Sequence, residues 1–87
     1  VNAYDFIGYT VERDIIVLNF SKEFYEKCSS LEERQELYLV YSIVNAMTDN
    51  PAISQVLFVR EGVGIKSIAD TIILMQPLLR NPGLIIN

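Results

Sequence analysis

The chain has 87 residues, 51% hydrophobic and 21% charged, with a net charge of −4. That apolar content excludes intrinsic disorder and describes one small domain, of a size that buries only about 60% of its unfolded surface. The basic residues Arg13, Lys22, Lys27, Arg34, Arg60, Lys66 and Arg80 are scattered with no two adjacent, which excludes the clustered positive field of a nucleic-acid surface and charge-driven binding to an anionic membrane.

Ala3–Val11 and Ile15–Phe20 read as two strands around the polar tripeptide Glu12-Arg13-Asp14, an antiparallel hairpin. Gly8 marks a bulge or a close backbone approach in the first strand. In the second, Ile16, Leu18 and Phe20 share one side, and Ile15, Val17 and Asn19 the other. Both sides are apolar enough to predict a central strand, or one whose far face is covered. Ser21 to Tyr25 reads as a helical turn that pins Phe24 or Tyr25 onto the sheet.

The main helix follows. Ser30-Leu31-Glu32-Glu33 has the spacing of a capping box, with Ser30 as the cap and the acids at the positive end of the helix dipole. Leu37, Val40, Val44 and Met47 recur at helical spacing, widened by Tyr41 and Ile43 into a broad core-facing stripe. Asp49-Asn50-Pro51 ends it, because the residue before a proline avoids the α region. Ser54–Arg60 is a strand, with Val56 and Phe58 on one side and Leu57 and Val59 on the other. Glu61-Gly62-Val63-Gly64 turns the chain. Thr71–Met75 is a further β-rich run closed by Pro77, and the apolar tail after it is expected to pack back on the body.

The expected fold is α+β in the order β-β-α-β-β, a single domain over residues 1–87. About four strands form a small, mostly antiparallel or mixed sheet with one long helix on one face. The link from Asn19 to Val56 is long enough for a crossover, which permits one parallel pair.

Nothing in the residues assembles an active site. Histidine is absent, which removes the commonest general base and metal ligand. Cys28 is the one cysteine and reads as a solvent-facing or half-buried structural thiol. Gly62-Val63-Gly64 lacks the third glycine of a phosphate loop and opens no helix. Zinc spacing and a calcium-binding acidic ladder are missing, so no cofactor or metal is expected. Glu32, Glu33 and Glu36 fall in the first turns of the helix and read as solvated dipole partners. The aromatic residues read mainly as core or its rim, with the tyrosines near the hairpin as the alternative ligand platform. No apolar stretch approaches the ~18 residues that span a bilayer. Because Val1 stands inside a strand, further sequence is expected before it, such as a secretion or lipid-anchor segment.

Four segments, in order, resemble one known family. Asp14-Ile15-Ile16-Val17-Leu18-Asn19-Phe20-Ser21-Lys22-Glu23-Phe24 is similar to the hallmark strand of the GerM domain of sporulation and spore-germination proteins, with Asn19 where the family often has aspartate. Val44-Asn45-Ala46-Met47-Thr48 resembles that domain's helix ending, and Pro51 to Gly62 its helix-exit turn, strand and closing glycine. Gln76 to Ile85 resembles its closing segment. The resemblance implies a non-catalytic assembly module, extracytoplasmic and envelope-associated, in a membrane- or lipid-anchored parent protein, with a fold similar to the ring-building motif. It implies protein partners or self-association through a sheet edge or the helix face, no nucleic acid, and membrane contact only through an anchor outside this chain. A small-ligand or peptidoglycan-binding domain is the alternative. Family domains usually begin with a strand and helix before the point where Val1 stands. Their absence implies a shortened domain, or a second chain over the exposed sheet face. The motif residues Asn19, Phe20, Ser21, Lys22, Asn45, Gly62, Pro77, Arg80 and Asn81 are expected to determine the fold. Ser21 and Asn19 would bond local backbone groups, and Phe24 would anchor the turn.

Overall fold

The computed structural model describes residues 6–67 and 74–81. Strands β1 (Phe6–Glu12) and β2 (Ile15–Phe20) form the expected hairpin, followed by helices α1 (Lys22–Cys28) and α2 (Glu33–Thr48). Strand β3 (Gln55–Arg60) and the two-residue strands β4 (Val63–Gly64) and β5 (Leu78–Leu79) complete a mixed α+β domain. The sheet runs β1-β2-β3-β4, with β5 also on β3. Strand β2 is central, as its two apolar faces require, antiparallel to β1 and parallel to β3. The parallel pair exists because the chain crosses over through both helices before β3 begins.

Local chemistry sets the boundaries. The hairpin turn is tighter than the tripeptide suggests: Glu12 pairs with Ile15, leaving Arg13 and Asp14 as the loop, with Arg13 at φ 60°. The register shifts between Phe6 and Gly8, so the bulge expected at Gly8 is present. Lys22–Cys28 makes a two-turn helix capped by Ser21, not a single turn. The cap of α2 also differs from expectation. Glu32, not Ser30, is the N-cap, and its N–H donates to the Gln35 carboxamide at 3.0 Å. Ser30 instead lies in the short connection, where the Leu31 N–H donates to the Cys28 carbonyl. Of the predicted turn 61–64, only Glu61 and Gly62 turn; Val63 and Gly64 already pair with Arg60 and Val59. In the predicted run 71–75, residues 71–73 lie outside the described set. Leu74 and Met75 are not in a strand, and pairing resumes only at Leu78 after Pro77.

Both helices pack on one face of the sheet. Ile16, Leu18 and Phe20 from β2 and Val56 and Phe58 from β3 meet Phe24 and Tyr25 of α1 and Val40 and Val44 of α2. Aromatic packing concentrates where α1 leaves the sheet: Phe24 stacks on Phe20 with centroids 4.2 Å apart, and Tyr25 meets Phe24 edge-on at 5.0 Å. The Tyr25 hydroxyl donates to the Val59 carbonyl at 2.9 Å, which satisfies its buried polar end. Two expectations fail at this core. Cys28 is buried among the aromatic residues, not solvent-facing or half-buried, because α1 is long enough to carry it inward. Glu36 has no exposed surface, because it sits one helical turn before Val40 on the inward stripe.

Candidate functional site

The motif residues fall into two backbone clasps at opposite ends of β3. At its C-terminal end, the Asn19 side-chain oxygen accepts from the Gly62 N–H at 2.9 Å. The Glu61 N–H donates to the Phe20 carbonyl at 2.9 Å, and the Lys22 N–H donates to the Glu61 carboxylate at 2.8 Å. These bonds need the chain to double back sharply, and Glu61 and Gly62 do so with φ of 48° and 84°. Only glycine adopts such a φ at little cost, which gives Gly62 a physical reason. Ser21 accepts from the Phe24 N–H at 3.2 Å and caps α1, as its position after the strand predicted. Asn19, in contrast, bonds no local group; its partner lies 43 residues on.

The second clasp ties the C-terminal segment to α2. The Asn45 carboxamide donates to the Asn81 carbonyl and accepts from the Asn81 N–H, both at 3.0 Å. Arg80 donates to the Asn45 carbonyl at 3.0 Å and to the Asp49 carboxylate at 2.7 Å. A guanidinium there also places positive charge on the negative end of the helix dipole. Pro77 stands apart, half-buried just before β5. Sequence spacing gave no sign of either clasp, since each joins groups more than thirty residues apart.

The described residues leave an apolar groove open. A helix about 10 Å wide covers roughly two strands spaced about 4.8 Å apart. The helical layer sits over β2 and β3, so β1 extends beyond it. Cross-strand pairing puts Tyr9 beside Leu18 and Val11 beside Ile16, on the face that the helices occupy. These residues remain largely in water: Tyr9 is 64% exposed, Val11 50% and Phe6 40%. With Leu39, Ile43 and Met47, which follow one another at four-residue steps along α2, they line an apolar groove of about 810 Å³. The sequence carried a signal for it, because the apolar stripe of α2 is wider than the core beneath it requires.

The groove is not built for proton chemistry. Asn50 and the Tyr9 hydroxyl are the polar side-chain groups among its lining. Tyr25, a displaced acid–base group, lies in the core, where burial raises its phenol above the ordinary range and Cys28 adds to the shift. Among the described residues no three His, Cys, Asp or Glu side chains gather as a metal site, and no helix is long and apolar enough to cross a membrane.

Comparisons with known proteins agree with this architecture. A 2.5 Å crystal structure described as a lipoprotein from Clostridium perfringens shares the fold, with a TM-score of 0.76 at 16% identity. The alignment covers 85% of this chain, which spans about half of that protein (48%). No curated protein matches the chain. The model of the Germane family, described as sporulation and spore germination, matches residues 3–66. The chain therefore belongs to the Germane family and carries a GerM-type domain.

Proposed function

We propose that this chain is a non-catalytic docking module of a cell-envelope protein serving sporulation or spore germination. It binds protein partners through the groove between β1 and α2. The observation that carries this reading is the contiguous apolar surface of Phe6, Tyr9, Val11, Leu39, Ile43 and Met47, left open beside an otherwise closed core. Exposed apolar patches of this kind mark interaction sites, since leaving them in water is unfavourable. Membership of the Germane family supports the cellular process. The lipoprotein description of the similar Clostridium perfringens protein supports a position outside the cytoplasm, held by an anchor beyond these residues.

A small-ligand or peptidoglycan-binding role is less favoured by this lining. A sugar needs several converging hydrogen-bond partners, and the groove supplies two polar side-chain groups. Calorimetric titration of the chain against extracytoplasmic domains of sporulation-envelope proteins tests the proposal, with Ile43→Glu as matched control. A partner bound by the parent and weakened at least ~10-fold by the variant supports it, equivalent to ~1.4 kcal/mol. Equal binding by both proteins removes the groove from the account. Resonance shifts at Tyr9 on titrating wall fragments, without protein binding, would establish the alternative.

A further inference from the structure

Resting on that reading, we propose that a second copy of this chain is one of the partners, joined through the open edge of β1 in an antiparallel two-fold pair centred on Thr10. Among the described residues β1 pairs only with β2, and none of them takes up the backbone donors and acceptors of its other edge. The devices that usually protect an edge are sparse here. Strand β1 holds no lysine or proline, and its bulge sits at the N-terminal end, leaving Gly8–Glu12 regular.

The strand is complementary to itself in that one register. With Thr10 opposite Thr10 of the second copy, Tyr9 faces Val11 and Gly8 faces Glu12. Aromatic residues opposite β-branched ones, and threonine opposite threonine, are favourable cross-strand pairs. Tyr9 and Val11 lie on the groove face, so each copy covers apolar surface that the other leaves in water. Charge chooses the direction. Antiparallel pairing sends the two Glu12 carboxylates to opposite ends of the junction, whereas a parallel pair would set them side by side. Phe6, Tyr9 and Val11 together expose about 300 Å² per copy, taking aromatic side chains as ~150–250 Å² each. Two copies bury at most about twice that from these side chains, below the ~1,200 Å² at which specific stable interfaces begin and in the range of transient contacts. The pair is therefore a weak, concentration-dependent one.

Sedimentation velocity of the full chain across a wide concentration range tests the proposal. The mass should rise from 9.9 kDa toward twice that value. Tyr9→Glu and Val11→Lys should each weaken dimerisation at least ~10-fold. The double variant Tyr9→Glu/Val11→Lys should restore it, because each cross-strand position then opposes a carboxylate to an ammonium. An independent check uses Thr10→Cys, which should crosslink two chains under mild oxidation, since paired strands hold opposed Cα atoms within disulfide reach. Cys28 is buried, so the parent protein serves as the uncrosslinked control. A chain that stays monomeric throughout overturns the pairing and leaves the groove reading intact. A dimer indifferent to the Tyr9 and Val11 substitutions, or one that the double variant fails to restore, overturns it equally.

Discussion

Replacing Asn45 by alanine tests the clasp between α2 and the C-terminal segment. The substitution removes a donor and an acceptor that meet the Asn81 backbone at 3.0 Å each. A net hydrogen bond contributes ~0.5–1.5 kcal/mol, and a buried group left without its partner costs more. Asn81 is exposed, so water can reach its freed N–H and carbonyl. That places the loss toward the lower part of the two-bond range, at ~1–2 kcal/mol. For a domain of this size each kcal/mol moves the melting temperature by about 4–8 °C, so a fall of roughly 5–15 °C is expected. Calorimetry gives the global number, and amide exchange gives the location. Val56 pairs with Leu78, whereas the Gln55 N–H donates to the Asp14 carbonyl on the β2 side, so the Val56 amide should lose protection before those of Gln55 and Leu57. A melting temperature within about 1 °C of the parent, or exchange unchanged at Val56, would refute the clasp as a fastening of β5.

Three further outcomes follow from the core and the first clasp. Phe24→Ala removes a ring packed against Phe20 and Tyr25, and should cost ~3–5 kcal/mol, comparable with the whole stability of a small domain; near-ultraviolet dichroism should collapse, as for a largely unfolded or molten chain. Gly62→Ala should cost ~1 kcal/mol for backbone strain alone, because no atom lies near the added methyl group; urea melts read it, and Asn19→Asp, which keeps the acceptor, should be milder than Asn19→Ala. The third concerns alkaline pH. Because the folded phenol of Tyr25 titrates above its unfolded value of about 10, its contribution is complete below pH ~10 and is lost as pH rises beyond it, at up to ~1.4 kcal/mol per pH unit. Tyr25→Phe should flatten that alkaline slope by one proton while costing ~1 kcal/mol near neutral pH for the bond to Val59; an unchanged slope contradicts the burial argument.

The periodic elements were legible because their causes are local. Alternation in β2 and β3, the stripe along α2 and the stop at Pro51 all follow from residues within a few positions of one another. The capping serine of α1 was readable for the same reason. Glu36 and Cys28 were misread because residue type outweighed register: each lies on an inward position, and packing decided its burial. The partners of Asn19, Asn45 and Arg80 were invisible in one dimension, since segments more than thirty residues away supply them. The groove depends on something subtler still, the number of strands that the helical layer leaves uncovered.

The parallel pairing of β2 with β3 also governs how the chain reaches this shape. Ile15 lies opposite Gln55, so the central ladder closes only after α1, α2 and both their connections have been gathered between its strands. Such a closure pays loop entropy before its contacts return any free energy, and sequence-distant pairing is what slows two-state folding. The β1–β2 hairpin, joined by two residues, should form well ahead of it. During synthesis that hairpin emerges with Ile16, Leu18 and Phe20 bare until α1 and α2 have followed and folded over them, an interval in which a chaperone or a neighbouring nascent chain can reach them.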